Sequence, residues 1–179
     1  MNQDENESLL VALVQHGDTA AFETLLLKLY RPLRSYVAAM VGAAAADDVL
    51  QEVALRIHRH IRFLREPKAF RAWAYQIATR IAFVHLKREK QWRRVESDPD
   101  FQHAFPGVVL PLEESDAEFL SMVDRVSPGS RAVLLLHYQQ HLSLEEAAAI
   151  LDIPVGTAKS RLAYGLATIR KSIKEKDKP

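Results

Sequence analysis

Residues 143–173 read SLEEAAAILDIPVGTAKSRLAYGLATIRKSI, and this stretch decides the fold. Ser143 stands three residues ahead of Glu146, the spacing of a capping box. The serine hydroxyl takes the backbone N–H of Glu146, and the glutamate carboxylate returns to the backbone N–H of Ser143. Ala147, Ala148 and Leu151 continue that helix. Asp152-Ile153-Pro154 turns the chain, and aspartate tolerates a left-handed backbone better than most residues. A second helix is predicted from Val155 to about Lys174. Projected at about 100° per residue, Ala158, Leu162, Ile169 and Ile173 share an inward face. Thr157, Ser160, Tyr164, Ala167 and Lys171 point away, flanked by Lys159 and Arg161. This is helix-turn-helix architecture. Hydroxyls, an aromatic ring and cations on one outer face suit the DNA major groove. An ordinary helical hairpin fits the same pattern.

Upstream, the helical period persists. Phe22, Leu25, Leu26, Leu29, Leu33, Tyr36, Val37 and Met40 mark an amphipathic helix, with Pro32 inside it and Gly42 as its stop. A shorter helix precedes it, around Leu9 to Gln15. A third is predicted from Asp47-Asp48, whose charges suit a helix N-terminus, with Val49, Val53, Ile57 and Ile61 inward. Pro67 interrupts the chain. A fourth helix spans about Ala69 to Trp92, with Phe70, Trp73, Ile77, Ile81 and Val84 inward and Tyr75, Thr79, Phe83, Lys87 and Lys90 outward. Residues 97–115, SDPDFQHAFPGVVLPLEES, hold three prolines and no period, and read as a linker. The expected fold is all-α, with two small helical domains at 1–95 and 116–179 joined by a linker at 96–115. No segment alternates as a strand does.

The net charge of +1 conceals four blocks. Residues 1–55 are net −5, 56–94 net +10, 95–152 net −9 and 153–179 net +5. Two basic blocks suggest two surfaces that face a polyanion. Cysteine is absent, which excludes disulfides, thiolate metal sites and a cysteine nucleophile. No run of about 18 apolar residues occurs, and Met1–Ser8 is acidic rather than signal-like, so neither membrane insertion nor secretion is expected. His58 and His60 lie two apart, on different helix faces. With no Gly-rich phosphate loop and no nucleophile–base pattern, neither an enzyme, a cofactor nor a small-molecule substrate is expected.

Residues 142–172 resemble the region-four helix-turn-helix of extracytoplasmic-function RNA polymerase sigma factors. ADDVLQEVALRIHRHI at 46–61 and FRAWAYQIATRIAFVHLKRE at 70–89 resemble region two of the same family. The resemblance covers roughly residues 8–174. It implies a cytoplasmic protein that binds core polymerase and promoter DNA. Region two would hold the β′ coiled coil through Asp48, Gln51 and Glu52. The Leu64–Lys68 loop, with Arg65 and Lys68, would capture a flipped minus-ten base. The next helix would offer Thr79, Arg80, Phe83, Lys87 and Lys90 to the same DNA. Region four would bind the β flap, and its second helix would meet the minus-thirty-five element through Thr157, Lys159, Ser160, Arg161, Tyr164 and Lys171. An anti-sigma factor is a further implied partner. Family members often carry Asn and Asp where this chain has Arg80 and Val84, and more arginine than residues 164–167 offer. Two rivals remain: a sigma-like decoy that binds an anti-sigma protein without DNA, and a plain helix-turn-helix regulator. The basic blocks argue against the first, and the DDVLQE stretch has no use in the second.

Overall fold

The computed structural model describes residues 3–95 and 122–176 as helices and turns, with no strand among them. The linker expected at 96–115 lies outside the described residues. In the first segment, α1 (Gln3–Gln15), α2 (Thr19–Val41), α3 (Ala43–His60) and α4 (Phe70–Val95) pack together, with 3-10 turns at Ile61–Phe63 and Pro67–Ala69. In the second, α5 (Pro128–Leu134) runs into a π-helical turn (Leu135–Gln139), followed by α6 (Leu144–Leu151) and α7 (Val155–Lys176).

Local chemistry sets the helix ends. The Asp18 carboxylate accepts the Ala21 N–H at 2.9 Å and caps α2. Pro32 is accommodated within α2, and Gly42 ends it at φ 88°. The third helix begins at Ala43, four residues before the predicted Asp47. The alanine run 43–46 is made of the best helix former, and it extends the helix to the glycine. Pro128 occupies the first turn of α5, where its missing N–H costs nothing. Asp152 ends α6 in the left-handed conformation, φ 54° and ψ 50°, as its side chain predicts.

The capping box of α6 forms. The Glu146 N–H donates to Ser143 Oγ at 3.1 Å, and the Ser143 N–H donates to Glu146 Oε2 at 2.8 Å. The Ser143 hydroxyl also donates to Oε2 at 2.8 Å. These bonds, the backbone one foremost, hold the Glu146 carboxyl below its ordinary 4.5. Stability from this shift is therefore complete above pH 4.5 and is lost as pH falls through the lower folded value. Glu146→Gln is expected to lower stability in urea unfolding at pH 7, with the difference from the unmodified chain vanishing in strong acid. A difference that persists unchanged into acid would contradict this account. Ser143→Ala should cost about 1 kcal/mol.

Two cores meet. Tyr36, Tyr75, Phe70, Leu25, Met40 and Ile57 are fully buried in the first segment. Val133, Ala148 and Ala158 form a small centre beneath the helix-turn-helix, with Leu144, Leu151 and Leu162 against it. The larger cluster does not stop at the first segment, for Leu135, Leu136, Ala147 and Ile150 join it. Gly165 is the close-approach point of α7. A Cβ there would sit 2.6 Å from Leu134 Cδ1, so glycine's cost of about 1 kcal/mol in a helix is offset by contact between α7 and α5.

Helix α4 corrects the periodic reading. Tyr75 is fully buried and Thr79 is only 3% exposed, although both were expected outward. Val84, expected inward, is 49% exposed, and Ile173 is exposed as well. For Tyr75 the physical reason is a second covering layer, with α6 packed against α4 and the π turn against α2, whereas Thr79 is buried against Tyr36 of α2. The Tyr75 hydroxyl donates to Gln140 Oε1, and Gln140 Nε2 donates to the Pro32 carbonyl at 3.3 Å. Gln139 Nε2 donates to Ser35 Oγ at 2.8 Å. Thr79 gives its one proton to the Tyr75 carbonyl at 2.7 Å, so the Tyr36 hydroxyl donates to Thr79 Oγ1, also at 2.7 Å. Burial raises both phenols, Tyr75 to about 12.

Arg131 is the central fastener between the segments. Its Nη1 donates to the Met40 carbonyl at 2.8 Å, one of the terminal carbonyls that α2 cannot satisfy itself. Its Nη2 donates to the Asp124 carbonyl at 2.6 Å, and the Asp124 carboxylate lies 3.2 Å from Nη1. Burial pulls the guanidinium below its ordinary range, and Asp124 pushes it back.

Candidate nucleic-acid and polymerase interfaces

Three surfaces carry the predicted residues. On α3, Asp48, Gln51 and Glu52 form one exposed stripe. Leu55, one turn on, is 51% exposed and extends the stripe as an apolar element that the sequence reasoning missed. Arg34 Nε binds Asp47 at 3.1 Å, so Asp47 is occupied, whereas Asp48 has no ion pair among the described residues. Glu52 lies 3.7 Å from Arg56 across one helical turn. Both are exposed, and such a pair contributes little.

The second surface lies around the loop and α4. Arg65, between the two 3-10 turns, and Lys68, within the second, are both exposed. Arg80 is exposed and borders a groove of about 410 Å³ between α3 and α4. Arg56, His60, Trp73 and Arg88 line the same groove, and none of them was expected at the minus-ten contact. The +10 charge block was the available signal. Lys87 and Lys90 are exposed, Phe83 is half-buried, and Thr79 is buried against Tyr36 of α2.

The third surface is α7. Tyr164 is 61% exposed, and Lys159, Ser160 and Lys171 are exposed. Thr157 and Arg161 are half-buried. Ser160 Oγ donates to the Thr157 carbonyl at 3.0 Å. Arg161 lies over Gly129, where a Cβ would meet its guanidinium carbon at 3.3 Å. Phe83, Lys87, Lys90 and Arg161 border one groove of about 390 Å³. The structure therefore brings residues expected on two different DNA elements to a single place. Among the described residues no group of three or more His, Asp or Glu is placed to hold a metal, and no helix is long and apolar enough to cross a membrane.

A helix-turn-helix with cations and hydroxyls on its outer face, beside a basic helical bundle, is the architecture of a DNA-binding protein. Residues 25–93 match the sigma-70 region 2 family and residues 116–169 match sigma-70 region 4. The chain belongs to the sigma-70 family, as an RNA polymerase sigma factor of the extracytoplasmic-function type. It is 29% identical to the RNA polymerase sigma-H factor of Pseudomonas aeruginosa, over 97% of this chain and 96% of that one. It is also 29% identical to the ECF RNA polymerase sigma-E factor of Escherichia coli, over 90% and 91%. Its fold is that of CnrH, solved in complex with the cytosolic domain of CnrY, with a TM-score of 0.72, 20% identity and 97% and 99% of the two chains covered. The sigma factor RpoE of Bartonella quintana, solved with the anti-sigma factor NepR, gives a TM-score of 0.67 at 22% identity, with 86% and 96% covered.

Proposed function

We propose that this sigma factor works through the three surfaces in a fixed division of labour. Residues 1–95 act as the region-two domain, 96–115 as the linker and 116–179 as the region-four domain. Asp48, Gln51 and Glu52 dock on the β′ coiled coil. Arg65, Lys68, Arg80, Phe83, Lys87 and Lys90 serve the melted minus-ten element, with Thr79 buried behind them against Tyr36. Thr157, Lys159, Ser160, Arg161, Tyr164 and Lys171 serve the minus-thirty-five element, with the β flap holding the same domain. The chain acts by binding, in the cytoplasm beside the polymerase, and supplies no catalytic group. An anti-sigma factor holds it in reserve, as NepR binds the Bartonella relative.

The observation that carries this reading is the α3 stripe: two acids and an amide exposed together, ungated by the second segment. Glu52→Lys is expected to weaken binding to core polymerase at least tenfold in a pull-down titration, with helical circular dichroism unchanged. Unaltered affinity would remove α3 as the docking element.

Promoter engagement requires the two segments to part. The minus-ten and minus-thirty-five elements lie about 25 base pairs apart, roughly 85 Å of B-form DNA at 3.4 Å per base pair. Phe83 and Arg161 border one groove in this structure. Both cannot hold their elements in that arrangement, so the described conformation is a closed, resting one.

A further inference from the structure

The groove shared by α4, α5 and α7, of about 390 Å³, carries charge of one sign. Lys87 and Lys90 stand three residues apart on one face of α4, and Arg161 joins them from α7. No described Asp or Glu lines it. Glu89 and Asp124 line a neighbouring groove, and the Asp124 carboxylate lies 3.2 Å from Arg131 Nη1. Lys87, Lys90 and Arg161 have no ion pair among the described residues. The rest of the lining has no side-chain acceptor, since Phe83, Leu86 and Pro128 are apolar. Gly129 gives Arg161 its place. A Cβ there would come within 3.3 Å of both Cζ and Nη1, so glycine lets the guanidinium lie close over the α5 backbone.

Closing the molecule thus gathers cations that parted segments would hold separately. Like charges in one cleft repel, and a cleft of one sign with apolar walls concentrates counter-ions of the other. An anion that touches all of them relieves the repulsion. A polyphosphate chain carries several charges, and its oxygens suit the arginine fork and the lysine ammonium groups alike. The volume falls at the small end of the range for small-molecule sites, about 300–1,000 Å³. We infer that this groove binds a small polyphosphate anion, which ties α4 to α7 and holds the chain closed. An inorganic polyphosphate and the tail of a nucleoside triphosphate share this chemistry. Promoter DNA uses the same cations on parted segments, so ligand and promoter compete. The site stands on the groove, and only the competition rests on the promoter reading above.

The test is isothermal titration calorimetry of the full chain with tripolyphosphate at physiological salt. Saturable binding of one ligand per chain is expected, and no binding would overturn the site. Lys87→Gln/Lys90→Gln on α4 and Arg161→Gln on α7 should each weaken binding at least fivefold. Lys28→Gln should leave it within twofold, because Lys28 is exposed on α2 and lines none of the grooves described. An equal loss in Lys28→Gln would mark diffuse counter-ion binding and overturn the site. Loss in the variants of one segment alone would overturn the bridge. Arg161→Lys keeps the charge and should stay within threefold of the unmodified chain; a loss as large as that of Arg161→Gln would assign the effect to packing on Gly129 and overturn the contact. A chain locked shut between Ser35→Cys and Gln139→Cys should keep tripolyphosphate and lose promoter duplex. Loss of tripolyphosphate from the locked chain would overturn the bridge. Retention of both ligands would leave the bridge standing and overturn the competition. ATP bound at least fivefold tighter than tripolyphosphate would assign the site to a nucleotide with its base against Phe83, and equal or weaker binding to the inorganic chain.

Discussion

A chain carrying Ser35→Cys and Gln139→Cys, bridged by a short cleavable bis-maleimide, is expected to lose promoter-dependent run-off transcription by at least tenfold. Cleaving the bridge should restore it. The chain has no cysteine of its own, so the bridge forms at one place. Gln139 and Ser35 already touch at 2.8 Å across the segment boundary, so bridging them preserves the described arrangement. Core binding should survive, because the α3 stripe is exposed in the closed form. Promoter binding should not, because one groove cannot serve elements about 85 Å apart. The two single-cysteine variants, treated with the same reagent, control for modification alone. Full activity of the bridged chain would show that promoter binding needs no separation, and would sink the closed-state reading.

Arg131→Ala is expected to lower stability by about 2 kcal/mol. The balance of terms decides that figure. Hydrogen bonds to a charged donor contribute about 1.5–3 kcal/mol each, and the Met40 and Asp124 carbonyls lose theirs. Removing a buried charge gives back part of its desolvation cost. Asp124 is well exposed, so no buried anion is stranded. For a chain of this size the loss corresponds to a midpoint about 4–8 °C lower by calorimetry. Arg131→Met, which keeps the buried aliphatic stem, should lose less. A midpoint unchanged in Arg131→Ala would mean that the guanidinium's desolvation cancels its bonds, and that apolar contact alone closes the two segments.

Much of this was legible in residue patterns, and the exceptions share a cause. The capping box at Ser143 and Glu146, the Asp152 turn and the Gly42 stop are local. Each depends on a few neighbouring residues, and each formed as expected. Periodicity also placed Leu25, Leu29, Leu33, Tyr36 and Val37 in the core. It failed on α4, where Tyr75 meets Gln140, 65 positions downstream, and Thr79 meets Tyr36, 43 positions upstream. A helical projection finds an apolar face, but it cannot show that a distant segment will cover the opposite one. Gly165 illustrates the same limit. From sequence it is a weak point in a helix; in space it is the contact with Leu134. The π turn was equally hidden, since nothing in LLHYQ distinguishes it from an ordinary helix end. The candidate surfaces divided the same way. The α3 stripe and the outer face of α7 came from a single helix each. The Arg56, His60, Arg80 and Arg88 groove needed two helices side by side.

The bonds across the boundary join residues far apart in the chain: 65 positions for Tyr75 and Gln140, 91 for Met40 and Arg131, and 108 for Pro32 and Gln140. Synthesis runs from the N-terminus at about 5–20 residues per second, and domains fold as they emerge. The ribosome therefore delivers Gln140 roughly 3–13 s after Tyr75, long after the first four helices have had time to form. During that interval the nascent chain shows Tyr75, Phe83 and the Met40 carbonyl to the surrounding solution. A newborn molecule is open before it is ever closed, and any polymerase or inhibitor that meets it on the ribosome encounters the α4 face without having to displace anything.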